Sequence, residues 1–423
     1  MEFILFTIYL FLFTWVVTQT RFFVNSGIPV KHLAMLFLLK VIVAIIYGWI
    51  GIYDGTVASM SDTWYYHFES LKETQLLFAN PKEYFLNIFQ FNATTDLQSF
   101  FASSNSYWNN LKLNAFIKIL SVFNCFSFGN YYINAIFYNY ILFWGVVAIY
   151  KLMLHHLKAT SFILIIACFL IPSFLYWCSG LHKDGITFLS VAIIIYHFYF
   201  YITAQKAGWR NYLWLLLGLF LLFVFRNYIL IALVPALFAW YIANKWPLPA
   251  KRTFLVIYII GIILFFGLPY LHPSLNFPAF VVSKQQAFIS LTGGKTSIPV
   301  TALEPNAISF LKNLPQAISL SFIRPYFSDA YKPIILPALI ENIAIMLCLL
   351  LAIFVRKRNL QISSFGLFIV FFSITMYLII GYTVNNLGAT VRYRSFILPL
   401  YMPFILTAIN CKKLWQIINI NKK

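Results

Sequence analysis

The residues best suited to chemistry lie in PSFLYWCSGLHKDG, residues 172–185, between two long apolar runs. His182, Lys183 and Asp184 fall in a very tight turn that we predict to lead into the N-terminus of a helix, where free amides attract anions. We expect His182 and Asp184 to serve catalysis and Lys183 to neutralise a phosphate. Alternatively, Asp184 only caps the helix and Lys183 faces lipid headgroups.

Four arginines could bind an anion: Arg226, Arg324, Arg392 and Arg394. Arg226 lies in the short turn of LLFVFRNYILI, so it must pair with a carboxylate, with carbonyls or with a bound anion. In the sequence VRYR, two arginines separated by one residue can hold one diphosphate from two sides. The alternatives are a helix hairpin held by Arg226, lipid anchoring by the pair, and a surface role for Arg324.

Carboxylates are scarce, since the chain has only 11 Asp and Glu residues. Asp62, in SDTWYYH, lies among aromatic rings that could stack on a sugar, and either Asp62 or His182 is expected to act as the general base. The alternative for Asp62 is a helix cap within an interfacial aromatic belt. Asp54 and Glu69 are weaker candidates. Glu341 lies about two turns inside a predicted membrane helix, where an unpaired charge is costly, so we expect it to support the site by pairing with an arginine.

The elements that must position these residues are membrane helices. Of 423 residues 61% are hydrophobic and 10% charged, with a mean hydropathy of +0.81, whereas soluble domains carry roughly 25% charged residues. We predict an all-α, polytopic transmembrane bundle with about eleven spans in a single membrane domain, 1–423. The runs lack the alternation of a membrane β-barrel. The predicted spans are 2–18, 33–52, 131–150, 160–179, 185–203, 211–225, 228–244, 253–271, 335–355, 363–382 and 395–411.

The positive charges set the predicted orientation. One set of spacers, with the C-terminus, holds sixteen: Arg21, Lys31, Lys151, Lys158, Lys206, Arg210, Lys245, Lys251, Arg252, Arg356, Lys357, Arg358, Lys412, Lys413, Lys422 and Lys423. The alternate short spacers hold four: Lys183, Arg226, Arg392 and Arg394. The positive-inside rule places the N-terminus outside and the C-terminus in the cytoplasm.

The same orientation puts two long loops, 53–130 and 272–334, outside the membrane. Within the first loop, 113–127 is predicted to be an interfacial helix. Lys40, in the second span, is expected to snorkel to the cytoplasmic surface. Because the net charge of +19 is spread over short spacers, it does not indicate nucleic-acid binding.

These motifs resemble those of bacterial envelope-polysaccharide proteins, namely polytopic glycosyltransferases of the C-type fold and O-antigen or capsule polymerases. The resemblance rests on PSFLYWCSGLHKDG, on RPY before a long span, and on Asp62 in a loop after an early span. It implies that outer-face arginines hold the phosphate of a polyprenyl-linked sugar. Many C-type transferases have an adjacent acidic pair, whereas Asp54 and Asp62 are eight residues apart.

We therefore predict a transferase or polymerase in the bacterial cytoplasmic membrane that uses a polyprenyl-phosphate-linked sugar on the outer face. Its partners are membrane lipid and the lipid-linked sugar or oligosaccharide, with no nucleic acid. No cofactor is expected, and the alternative of a divalent metal has no motif in its favour. The sequence contains no HExxH motif, no Walker loop, no GxSxG elbow and no dinucleotide-binding fingerprint. Two hypotheses compete with this one: a transporter or flippase of a lipid-linked or anionic solute, and a non-catalytic subunit of an envelope complex.

Overall fold

In a computed structural model, the described parts of the protein are built of helices. The structure describes residues 2–53, 62–89, 106–204, 208–290, 296–330, 333–357 and 361–420. In these ranges the regular structure is helical, with two isolated β-bridges and no strand of a sheet. The all-α prediction is confirmed for this part of the chain. Asp54 lies outside the described residues.

The α-helices are α1 (Glu2–Gln19), α2 (Arg21–Val24), α3 (Val30–Tyr53), α4 (Asp62–Ala79), α5 (Pro81–Leu86), α6 (Tyr107–Ser127), α7 (Tyr131–Leu157), α8 (Ser161–Phe169), α9 (Pro172–Trp177), α10 (Lys183–Ala204), α11 (Trp209–Lys245), α12 (Ala250–Leu271), α13 (Phe277–Ile289), α14 (Ala307–Ile318), α15 (Leu336–Phe354), α16 (Ser364–Thr383), α17 (Leu387–Ser395), α18 (Leu398–Ala408) and α19 (Cys411–Ile420). A π-helical turn, Ser319–Ile323, follows α14.

Eight helices of the described chain are long and apolar enough to cross a membrane. They are α1, α3, α7, α10, α11, α12, α15 and α16, which indicates a multi-pass membrane protein. They cover nine of the eleven predicted spans, because α11 contains two of them. The predicted span 160–179 is instead broken into α8 and α9, and 395–411 contains the 11-residue α18. The count of eleven and the orientation remain predictions.

Arg226 interrupts the longest helix. Its backbone angles (φ −151°, ψ 67°) are not helical and divide the 37 residues of α11 into two pieces. A straight helix of that length would extend about 55 Å, nearly twice the hydrocarbon thickness of about 30 Å. The break falls where the sequence predicted a turn between two spans.

The chain divides into two compact units, and the single membrane domain remains a prediction. Unit 1 comprises Met1–Leu152 and Phe174–Asn227, and unit 2 comprises Met153–Ser173 and Tyr228–Lys423. In unit 1, α4 and α6 pack against each other and against the buried face of α7. The segment 113–127 is therefore helical as predicted, within the longer α6, while its position relative to the membrane remains a prediction.

In unit 2 the end of α14 packs against α16, a candidate membrane span. A Cβ atom on Gly381 would lie 2.6 Å from the carbonyl carbon of Ala317, so only glycine permits this approach of the two backbones. The Ser321 hydroxyl donates to the Ala317 carbonyl at 2.8 Å. This close packing fixes the π-helical turn, in which the Ser321 carbonyl accepts from Arg394 Nη1 at 3.3 Å.

Candidate functional site

Four ionisable residues of unit 1, Asp62, His182, Asp184 and Arg226, form one hydrogen-bonded row. His182 Nε2 lies 3.2 Å from Asp62 Oδ2, and His182 Nδ1 lies 2.9 Å from Asp184 Oδ2. The other Asp184 oxygen accepts from Arg226 Nη2 at 2.5 Å. Three distant parts of the sequence, all predicted to lie at the outer face, therefore meet here.

The row is accessible at one end only. The His182 side chain is fully buried, and the side chains of Asp184 and Arg226 are 6% and 11% exposed. The Asp62 side chain is 54% exposed. A reactant can therefore approach the Asp62 carboxylate but not the imidazole behind it.

The partners of His182 suit the transfer of a proton. His182 Nδ1 lies 2.9 Å from the Asp184 carboxylate and also accepts from the backbone N–H of Asp184 at 3.3 Å. In the tautomer with Nδ1–H directed at the carboxylate, the Nε2 lone pair can accept a hydrogen bond only from a protonated Asp62. A proton taken up by Asp62 can then be shared with Nε2, while the charge of Asp184 compensates a developing imidazolium. Asp184 keeps a counter-ion of its own in Arg226. The geometry therefore favours general-base chemistry at Asp62, with His182 as a positioning residue.

The turn that carries His182 is fixed by buried polar groups from two spanning helices. On α7, Asn139 Nδ2 donates to the Ser179 carbonyl at 2.8 Å, and the Tyr138 hydroxyl donates to the carbonyl of His182. The Tyr138 oxygen in turn accepts from Ile186 N at 3.2 Å, at the start of α10. These bonds fix the backbone of the turn that carries His182, and they leave both imidazole nitrogens to face Asp62 and Asp184.

Lys40 of α3 also supports this turn, which corrects the prediction that it snorkels to the cytoplasmic surface. It is only 3% exposed. Its Nζ donates to the Cys178 carbonyl at 2.6 Å and to Ser179 Oγ at 2.9 Å. A charge at membrane depth is stable only with such partners. A lysine within an apolar run is visible in the sequence, but the groups to which it donates are not.

The sequence predicted that the aromatic residues after Asp62 stack on a sugar ring, but two of the three are buried. Trp64 is buried and stacks on Tyr131 with ring centroids 4.2 Å apart, so it is not available to a sugar. Tyr66 is also buried, and Lys183 Nζ lies 4.9 Å from its ring centroid. Tyr65, 40% exposed, is the one of these three that can contact a sugar ring.

Another histidine of α4 is buried close to the same aromatic rings. His67 is 4% exposed, and its ring lies 5.7 Å from Trp64 and 5.4 Å from Tyr131. Burial lowers the pKa of His67 to about 4. It is therefore neutral at pH 7 and serves the packing of α4 rather than proton transfer.

In unit 2, the arginine pair of VRYR lies on helix α17, and this corrects the expected two-sided grip. Residues two apart on a helix do not face each other. Arg394 is 1% exposed, and its Nη1 donates to the carbonyls of Ser321 (3.3 Å) and Arg324 (2.9 Å). Arg392 is half-buried, with its guanidinium 5.9 Å from the Tyr393 ring.

The remaining predicted site residues of unit 2 have partners of their own. Arg324 Nη1 lies 3.2 Å from Asp329 Oδ1. Glu341 was expected to pair with an arginine, but in the described part of unit 2 its Oε2 accepts from the backbone N–H of Ser173 at 2.6 Å. Arg394 Nε and Nη2 are buried and have no hydrogen-bond partner among the described residues.

Among the described residues, no group of three or more histidine, cysteine, aspartate or glutamate side chains could hold a metal ion. None of the five cysteines, all of which lie in the described ranges, forms a disulfide. Comparisons of the chain with protein families, with characterised proteins and with solved structures give no match. The functional argument therefore rests on the residues themselves.

Proposed function

We propose that the protein is a membrane glycosyltransferase or polysaccharide polymerase that works on the outer face of a bacterial cytoplasmic membrane. Its donor is a sugar linked to a polyprenyl phosphate or diphosphate. One observation supports this most: a half-exposed carboxylate, Asp62, is backed by the fully buried imidazole of His182. Such a carboxylate can take a proton from a hydroxyl that reaches it from the membrane surface.

The proposed reaction is the attack of an acceptor hydroxyl on the anomeric carbon of the donor sugar. The new C–O bond forms as the bond between that carbon and the phosphate oxygen breaks. The hydroxyl proton passes to Asp62, and the lipid phosphate or diphosphate leaves with the electron pair. Asp184 and Arg226 keep His182 in the orientation in which its Nε2 can share the proton.

Cations are needed where the leaving group gains negative charge. In unit 1, Lys183 lies next to His182 at the start of α10 and is our candidate. In unit 2, Arg324, Arg392 and Arg394 stay predicted anion-binding residues of that unit by itself. Arg394 is only 1% exposed, and its Nη1 donates to the carbonyls of Ser321 and Arg324. No nucleotide is required, because the lipid carries the donor.

The test uses the full chain reconstituted in proteoliposomes with a polyprenyl-phosphate-linked sugar and an acceptor glycan. Asp62→Asn should lower the initial rate of transfer by about 10²–10⁴-fold, the usual contribution of a general base. Glu83→Gln is the matched control, because Glu83 is an exposed carboxylate on α5 of the same loop. His182→Gln should shift the pH dependence of the rate, an effect that a purely structural role would not produce.

Transfer by Asp62→Asn at the wild-type rate would remove the proposal. Movement of the lipid-linked sugar across the vesicle membrane without a new glycosidic product would favour the flippase hypothesis instead. Undiminished activity of an envelope complex after replacement of Asp62, His182 and Lys183 together would favour a non-catalytic subunit.

A further inference from the structure

Helix α14 lies in the second predicted outer loop but packs against membrane helices. The Tyr382 hydroxyl, in the last turn of α16, donates to the Phe310 carbonyl at 2.8 Å. The Phe310 ring lies 5.7 Å from Phe265 and 5.4 Å from Phe266 of α12. Because α12 and α16 are both candidate membrane spans, α14 is held beside their apolar ends rather than in a free loop.

Part of the polar side of α14 contacts the segment that precedes it. Gln316 Oε1 accepts from the backbone N–H of Thr301 at 3.2 Å, and Ser309 Oγ accepts from Glu304 N at 3.0 Å. Ser309, Lys312, Asn313 and Gln316 follow one another at helical spacing along this side. One side of α14 thus faces protein backbone, and the side with Phe310 and Ala317 faces α12 and α16.

A third side of α14 is apolar and exposed. Ile308, Leu311 and Ile318 are 67%, 71% and 41% exposed, and their spacing of three and seven residues places them along one face of the helix. Pro315 lies on the same face and is exposed. An amphipathic helix with these properties lies in the plane of a membrane interface, its apolar face buried about 5–10 Å into the boundary between headgroups and acyl chains.

We propose that α14 is an interfacial membrane helix, and that its Ile308–Leu311–Ile318 face is covered by lipid acyl chains of the leaflet at the predicted outer surface. Water would otherwise contact three large aliphatic side chains beside the ends of two spans. The occupant is lipid rather than a protein partner, because the helices that hold α14 in place themselves expose apolar faces to lipid; Ile262 of α12 is 59% exposed. The inference holds whatever reaction the protein catalyses.

The test measures the depth of α14 in the bilayer. A fluorescent unnatural amino acid is inserted at position 311, at position 262 as a lipid-facing reference, and at position 305 as an exposed site that precedes α14. Each full-length variant is reconstituted in vesicles whose lipids carry bromine on the acyl chains. Quenching at position 311 should approach that at position 262 and exceed that at position 305 several-fold.

A water-soluble quencher separates the possible outcomes. Under the proposal, iodide quenches position 305 strongly and position 311 weakly. Quenching of position 311 by iodide, as at 305, would show a water-exposed face and overturn the proposal. Protection of position 311 from both quenchers would show that another protein surface covers it, which also overturns the proposal. Ile308→Asp, tested in the same vesicles, should increase quenching of position 311 by iodide.

Discussion

The ion pair between Arg226 and Asp184 is the most direct point at which to perturb the candidate site. The two charges are 2.5 Å apart, with side chains 11% and 6% exposed. Removing one partner of a buried pair costs about 3–5 kcal/mol, because the other charge is left without compensation. Since Asp184 keeps His182 Nδ1 as a second partner at 2.9 Å, we expect the lower end for Arg226→Met, about 3 kcal/mol.

A double-mutant cycle tests this reasoning. The free energy of unfolding is measured in mixed micelles for wild type, Arg226→Met, Asp184→Asn and the double variant. The double variant should lose about 2 kcal/mol less than the sum of the single losses, as residues in contact do. Arg210→Met is the matched control, because Arg210 is exposed on the same helix. Strict additivity, or a loss for Arg226→Met no larger than for the control, would refute the pairing.

Three further predictions concern other parts of the molecule. Lys40→Met should cost about 1–3 kcal/mol of unfolding free energy, because it leaves the Cys178 carbonyl without its donor, whereas Lys31→Met, at an exposed position of α3, should cost little. Burial lowers the pKa of His67 to about 4 in the folded protein. The unfolded state therefore binds more protons below about pH 6.5, and the free energy of unfolding should fall by about 2 kcal/mol from pH 7 to pH 5. His67→Asn should remove this part of the pH dependence. Asp329→Asn should increase the affinity of the full chain for inorganic phosphate, measured by calorimetry, because it removes the carboxylate that lies 3.2 Å from Arg324; unchanged affinity would contradict an anion-binding role for Arg324.

Much of the fold could be predicted from the sequence because membrane spans are long and uniformly apolar. Seven predicted spans correspond to single helices, and the break between the next two was located at Arg226. The predictions failed where an apolar run does not form one straight helix. Residues 160–179 contain Pro172, which cannot donate a backbone hydrogen bond and begins the new helix α9. The two-unit arrangement depends on tertiary contacts that no local pattern encodes.

The candidate site was partly predictable for a similar reason. Asp62, His182 and Arg226 could be identified as candidates because charged residues are rare in this sequence. The positive-inside rule predicted that their segments lie on the outer face. Neither the rarity of charges nor the positive-inside rule predicts which residue each of them would pair with. Lys40 was expected to snorkel to the cytoplasmic surface. The roles of Tyr138 and Asn139 of α7 could not be predicted, because a hydroxyl or an amide within an apolar run does not reveal the carbonyl to which it will donate.

The central claim is that the half-exposed Asp62 faces the outer side of the membrane, where a lipid-linked sugar can reach it. The direct measurement is labelling of Asp62→Cys in intact cells with a membrane-impermeant maleimide. The natural Cys411, exposed and predicted to be cytoplasmic, serves as the internal reference. We expect position 62 to react in intact cells and Cys411 to react only after the membrane is permeabilised. The reverse order would place the site in the cytoplasm and contradict the account.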